Sequence, residues 1–261
     1  MTEGTLLVER VRGLAAVQDL GRRGHMHEAV PPGGALVPEL LVAANRAVRN
    51  ADGAAALEVF GELVVRAETD VELARDRPRR VRAGETFTVA SEPMRVAYLA
   101  VRGGVAAPLV LGGRGALLAA HLGRVLRAGD RIAGAHEPTS PASAPAPLAD
   151  GPVRIVPGPD LDAFAPHALD VLLAAPYAIA RASDRVGTRL AGAAIPRTTN
   201  YRERSRPMVR GAVEVPADGA PIVLGPDHPT TGGYPVLAVV AERDLGRLFA
   251  IRVGGMARFL R

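Results

Sequence analysis

Arg82-Ala-Gly-Glu-Thr-Phe-Thr-Val-Ala-Ser-Glu-Pro-Met-Arg-Val-Ala-Tyr-Leu-Ala-Val-Arg-Gly-Gly104 reads as turn, strand, turn, strand, turn. Residues 82–85 place a glycine where the chain must reverse. Thr86–Ala90 is β-branched and aromatic, which suits a pleated, half-buried surface. A second strand covers 96–101, and the Gly103-Gly104 pair closes it. The same grammar recurs along the chain. Arg127-Ala-Gly-Asp130 repeats the first turn. Residues 5–11 alternate and then meet Gly13, and 57–65 form an apolar run interrupted by Gly61 and Glu62. Further strands are expected at 153–156, 212–215, 221–224, Val236–Val240 and 257–260. Helical spacing of apolar residues is confined to 37–48, 164–173 and 242–251, with Asn50 as a stop after the first. Short strands with Gly and Pro turns at this spacing predict a mainly β protein, a barrel or a sandwich, with a few short helices.

Residues 137–152 are a Pro/Ala/Ser-rich stretch that can hold neither a helix nor a central strand. The expected organisation is an N-terminal β domain over 1–136, a linker over 137–152 and a C-terminal β domain over 153–261. Apolar residues make up 48% of the 261, but aromatics only 3%, so the core must be built from aliphatic side chains. All 32 basic residues are arginine, and there is no cysteine. Schiff-base and phosphate-loop lysines, thiol nucleophiles and disulfides are thereby excluded. The first ten residues lack the apolar stretch of a signal peptide, and no run nears the roughly 18 apolar residues that span a bilayer. A cytoplasmic protein without a membrane partner is expected. The net charge of +5 raises a nucleic-acid reading, but the arginines are scattered and stacking aromatics are scarce, so no nucleic-acid partner is expected. The densest basic cluster, Arg75 to Arg82 around Pro78, reads as a solvated hairpin turn.

Four segments carry unusual chemistry. Gln18-Asp-Leu-Gly-Arg22 leads to His25 and His27 and then to Val30-Pro-Pro-Gly-Gly34. The double proline and double glycine make a corner that a ligand can approach closely, or simply a tight turn into the next helix. His25 and His27 share a side if extended, but no third ligand is spaced to complete a metal site, and none is expected. Ser183-Asp-Arg-Val-Gly-Thr-Arg189 gathers a hydroxyl, a carboxylate and two guanidinium groups. Arg185 and Arg189 can grip an anion, or one of them can close an internal salt bridge to Asp184. Asp227-His-Pro-Thr-Thr-Gly-Gly-Tyr-Pro235 offers hydroxyls and free N–H groups together, suited to an oxyanion, or else a turn between strands. Tyr98 to Gly104, continuing to Val110-Leu-Gly-Gly-Arg114, reads mainly as strand and turn. His121 and His228 are bases without a nucleophile spaced to meet them, so spacing alone leaves the reaction open.

Taken in order, these segments resemble one family from Thr5 to the C-terminus. The resemblance rests on Gln18-Asp-Leu-Gly-Arg22, Val30-Pro-Pro-Gly-Gly34, Asn45 with Asn50, Ala54-Ala-Ala-Leu-Glu-Val59, Tyr98-Leu-Ala-Val-Arg-Gly-Gly104, Pro157-Gly-Pro159, Ser183-Asp-Arg185 and Thr230-Thr-Gly-Gly-Tyr-Pro235. The family is allophanate hydrolase subunit 2, or KipA-like, which includes the C-type subunit of 5-oxoprolinase and the carboxyltransferase part of urea carboxylase. The resemblance implies two cyclophilin-like β-barrel domains and a B-type (KipI-like) partner subunit, with an A-type (LamB/YcsF-like) subunit in the wider complex. It implies ATP-dependent opening of a small amide or lactam, at a site shared with the partner. Two other branches are a regulatory protein that antagonises a KipI-like partner, and a carboxyltransferase that uses biotin. Carried onto this chain, Thr230, Thr231 and Tyr234 are the expected catalytic residues. Pro32, Gly33, Gly34, Ser183, Asp184, Arg185, Arg189, Gly232 and Gly233 are the expected substrate-binding set.

The chain departs from the family pattern where polar residues matter. Arg206 stands where the family usually has an aspartate, Glu214 replaces a glutamine, and Thr188 replaces a tyrosine. Either the substrate differs from 5-oxoproline or the chain regulates its partner.

Overall fold

The computed structural model describes residues 4–135, 148–198 and 201–261, so most of the expected 137–152 linker lies outside the described residues. The chain divides into two units, Met1–Arg23 with Gly33–Leu148 and Gly24–Pro32 with Ala149–Arg261. The mainly β, barrel-like character expected from the sequence is what the described residues show, with three short α-helices among them.

The first unit holds β1 (Thr5–Gln18), α1 (Pro38–Ala47), β2 (Ala56–Ala67), β3 (Val71–Ala74), β4 (Pro78–Val81), β5 (Thr86–Ala90), β6 (Ala97–Val101) and β7 (Arg131–Ala133). The sheet order is β4-β3-β6-β2-β1-β7, and β5 also pairs with β2. β2 serves two neighbours on one edge: Leu57 to Val59 pair with β6, and Glu62 to Arg66 with β5. Curling a sheet this way needs a bend, and Gly13 supplies it opposite Gly61, at φ 103° and 91°. This is why β1 runs to Gln18 rather than ending at Gly13. A Cβ on Gly13 would strike the Phe60 carbonyl oxygen. Gly13→Ala should therefore destabilise this unit by roughly 2–4 kcal/mol, from positive-φ strain plus the clash, as read by urea unfolding.

The core of this unit is aliphatic, with Leu6, Leu57, Leu63, Leu73 and Leu99 fully buried. Two polar groups inside it explain motif residues. Glu58 accepts hydrogen bonds from the Leu36 N–H (2.8 Å) and the Tyr98 hydroxyl (2.6 Å). Asn50 donates to Val101 O (2.8 Å) and Asn45 Oδ1 (3.0 Å), and accepts from Gly103 N (2.8 Å). That clasp ties the end of α1 to the end of β6, since buried polar groups need partners. The basic cluster is the β3–β4 hairpin, solvated as expected, with Arg79 and Arg80 exposed.

The second unit holds β8 (Val153–Pro157), α2 (Ala168–Ala174), β9 (Tyr177–Ile179), β10 (Gly187–Ala191), β11 (Arg206–Pro207), β12 (Ala212–Glu214), β13 (Ile222–Leu224), β14 (Thr231–Gly232), β15 (Val236–Val240), α3 (Glu242–Ala250), β16 (Met256–Ala257) and β17 (Phe259–Leu260). Its main sheet runs β16-β9-β10-β13-β12-β15-β8-β17, and β11 and β14 form a separate ribbon. The single strand expected over 257–260 is two: β16 pairs with β9 and β17 runs parallel to β8. Between them Arg258 O accepts the Val153 N–H at 2.7 Å, so the chain changes partners at that residue. Among the described residues no helix is long and apolar enough to cross a membrane.

Candidate functional site

Pro157-Gly-Pro159 ends β8 and delivers Asp160 to the interior of the second unit. A Cβ on Gly158 would collide with the Val236 carbonyl, so only glycine lets the chain pass β15 this closely. The Asp160 carboxylate is 3% exposed. It accepts the Val236 N–H (2.8 Å) and the Tyr201 hydroxyl (3.2 Å), and it pairs with Arg206. Arg206 also donates to the Tyr201 oxygen at 3.1 Å. Burial, with Asp160 beside it, raises the Tyr201 pKa, so the phenol keeps its proton as a donor.

Over this triad opens a cavity of about 1050 Å³, to which Arg197, Arg202 and Arg204 also contribute. Arg197 is held by Val215 O (3.2 Å) and Glu203 (2.8 Å), while Arg202 and Arg204 are exposed. Four guanidinium groups against Asp160 and Asp162 leave the lining net positive, an environment for an anionic small molecule.

The Thr230 to Tyr234 loop joins this site through Arg206. In the β11–β14 ribbon Arg206 pairs with Gly232 and Pro207 with Thr231, and Met208 N donates to Thr230 O at 3.0 Å. Thr231 and Tyr234 are exposed, and Thr230 is half-buried. A Cβ on Gly233 would meet nothing within 4 Å, so its backbone has an open face. On the inner side, a Cβ on Gly232 would come within 3.0 Å of Glu214 Oε1. Glu214 is 6% exposed, and burial pushes its pKa up to about 7. A carboxyl that titrates at neutral pH, directly behind a hydroxyl-bearing loop, can take or give a proton.

Ser183 to Arg189 holds itself together. Ser183 Oγ accepts from Arg189 N (2.9 Å) and donates to Arg189 O (3.2 Å). Asp184 caps the Val186 and Gly187 N–H groups, both at 2.9 Å. Arg185 pairs with the Asp227 carboxylate in a bidentate contact at 2.8 Å for both bonds. This clamp fastens the 183–189 segment three residues before Thr230, so Arg185 positions the loop. The Arg189 side chain is exposed. His228, next in the chain, is buried and donates from Nδ1 to Pro229 O at 2.8 Å. Burial lowers its pKa, which favours the neutral ring.

Gly33 and Gly34 belong to the first unit and take φ 62° and 86°. A Cβ on Gly34 would run into the Leu20–Gly21 backbone, so the corner is a close chain crossing. Pro32 belongs to the second unit. His25 faces Glu28 at 2.6 Å, and among the described residues no three His, Asp or Glu side chains are grouped to hold a metal. Asp160, Arg197 and Tyr201 escaped the sequence reading. Pro157-Gly-Pro159 pointed at the first, but nothing local points at the other two.

Residues 69–261 match the family model "Carboxyltransferase domain, subdomain A and B". The chain is 33% identical over 281 aligned residues to the C-type subunit of 5-oxoprolinase from Escherichia coli K12, covering 98% of this chain and 90% of that protein. It is 30% identical to the corresponding 5-oxoprolinase subunit of Haemophilus influenzae, over 95% of this chain and 88% of the relative. Among solved structures, TTHA0988 superposes with a TM-score of 0.86 at 31% identity over 99% of this chain, which spans 55% of that longer one.

Proposed function

From the premise that this chain belongs to the carboxyltransferase domain family, subdomains A and B, we propose that it is the C-type subunit of a heteromeric, ATP-dependent amidohydrolase of the 5-oxoprolinase type. Its substrate is a small cyclic or open amide that carries negative charge, handled in the cytoplasm at a site completed by a B-type (KipI-like) subunit. An A-type (LamB/YcsF-like) subunit belongs to the wider complex. The observation that carries this reading is the strand pairing that puts Thr231 and Gly232 against Arg206 of the arginine-lined cavity, with Glu214 behind them.

The roles follow from the chemistry. Opening an amide adds hydroxide to the carbonyl carbon, breaks the C–N bond and needs a proton on the leaving nitrogen. The Thr230 and Thr231 hydroxyls and the Gly233 amide hold the oxyanion that forms in between, while Gly232, paired with Arg206 in the ribbon, sets the loop's path. Glu214 supplies or receives the proton, its pKa of about 7 suiting either direction. Tyr234 orients the amide. Arg206 and its neighbours neutralise the substrate's charge, with Asp160 and Tyr201 fixing the Arg206 side chain. The exposed loop face is completed by the partner subunit, and ATP binds at a site on that partner or shared with it.

In the complex with the B-type subunit, Thr231→Ala should lower kcat by about 100-fold with KM little changed, the signature of a lost oxyanion donor. Arg206→Ser should instead raise KM. Unchanged kinetics in both variants would remove the site from the reaction. The matched family model also favours a second reading, carboxyl transfer from carboxybiotin to a small amide. That reading requires turnover to depend on a biotinylated carrier rather than on water alone.

A further inference from the structure

We propose that the first unit carries a second ligand site, a pocket for a small carboxylate with an apolar body, with the Arg22 guanidinium at its base. Arg22 is 2% exposed. Its Nε donates to Val110 O (3.3 Å) and its Nη2 to Gly115 O (2.6 Å). Its Nη1 is buried with no hydrogen-bond partner, and Arg22 forms no ion pair among the described residues. A guanidinium withdrawn from water without a counter-charge is costly, and an unmet buried donor calls for an explanation. The fold invests in keeping it there. A Cβ on Gly113 would crowd Arg22 Cβ and Nε at 3.2 and 3.3 Å, so glycine makes room for the side chain.

Arg22 lines a cavity of about 460 Å³, within the range of small-ligand sites. Apart from Arg22 the inner wall is aliphatic, with Val17, Val105, Leu122, Leu126 and Ile132. Arg114, Arg124 and Arg131 also contribute to the lining, and no acidic side chain does among the described residues. These three have partners of their own: Arg114 donates to Ala107 O, Arg124 pairs with Asp130, and Arg131 with Glu68. They draw an anion in, and Arg22 is left to bind it. An unmet guanidinium donor at the base and aliphatic walls around it fit a monocarboxylate with a short hydrocarbon tail. A phosphate would ask for more donors than the base offers, and a neutral carbonyl would leave the charge uncompensated. The pocket lies wholly in the first unit, so it stands or falls apart from the amide site in the second.

The test is an NMR titration of the full chain with butyrate, with the neutral isostere butyramide and with inorganic phosphate. Butyrate should bind with a Kd on the order of 1 mM, and butyramide and phosphate at least tenfold more weakly. Arg22→Gln should weaken butyrate at least tenfold. Because Arg22 is buried and that variant can misfold, Ala106→Trp gives an independent arm. Ala106 lines the cavity from an exposed position, so an indole there closes the mouth, and butyrate binding should disappear. Equal binding of butyrate and butyramide, tighter binding of phosphate, or butyrate binding that survives Ala106→Trp would overturn the assignment.

Discussion

Asp227→Ala should destabilise the second unit by about 3–5 kcal/mol and abolish amide-dependent turnover. The Arg185 and Asp227 side chains are 11% and 9% exposed, and both ends of their bidentate pair are held at 2.8 Å. Removing the carboxylate withdraws a counter-charge from a guanidinium that is largely shielded from water. The same clamp fixes the approach to Thr230, so the loop loses its register as well. Asp227→Asn keeps the shape and part of the hydrogen bonding, and should fall between. An exposed pair supplies the contrast: Arg10 and Glu62 are 51% and 30% exposed, and Arg10→Ala should cost less than about 1 kcal/mol. Urea unfolding of the three variants checks the ordering. A loss under 1 kcal/mol for Asp227→Ala would mean the pair does not hold the loop.

The opposite sign is expected for Glu214→Gln, which should stabilise the protein by up to about 3 kcal/mol at pH 8 while reducing turnover. The folded pKa of Glu214 is about 7, against 4.5 for an ordinary glutamate. Below pH 4.5 both folded and unfolded chains carry the proton, and the residue costs nothing on this account. Between pH 4.5 and 7 the unfolded chain releases its proton while the folded one keeps it, so stability falls as pH rises. Above pH 7 both are ionised and the full cost remains. Glutamine cannot ionise, so the advantage of the variant should be near zero at pH 4.5, grow to pH 7 and then level off. Thermal unfolding across that range reads it directly. A difference that ignores pH would show that the carboxyl titrates normally. A residue whose burial weakens the fold and whose pKa sits at the working pH is what an acid–base role requires.

How far the sequence foretold this structure depended on the range of the interactions involved. Thr86–Ala90 and Val236–Val240 were readable to the residue, because alternation and flanking turns are local signals. The three helices were legible from apolar spacing, although α2 starts four residues later than expected because Leu161–Ala163 turns separately. β7, β9 and β10 were not legible: β7 and β9 are only three residues long, and β10 overlaps the Ser183 to Arg189 segment, whose polar residues read as a loop. The continuation of β1 past Gly13 depends on its pairing with Gly61, far along the chain, and no local pattern reports that. The site divides the same way. Thr230 to Gly233 is a compact motif and could be read directly. Asp160, Tyr201 and Arg206 do not form one local motif, and only the path of β8 and the β11–β14 ribbon brings them together. Arg185 was read either as an anion grip or as half of an internal salt bridge, and the structure shows it paired with Asp227, 42 residues along the chain and outside any local pattern. Arg206 and Glu214, visible in the sequence only as departures from the family pattern, sit at the centre of the site.

The most direct test of the central claim is ATP hydrolysis by the complex of this chain with its B-type (KipI-like) partner, measured with and without 5-oxoproline, urea and related small amides. Hydrolysis should be stimulated at least tenfold by one anionic amide or lactam, and the stimulation lost with Thr231→Ala. A stable complex in which no amide stimulates hydrolysis would contradict it, and would assign the chain to regulation of its partner.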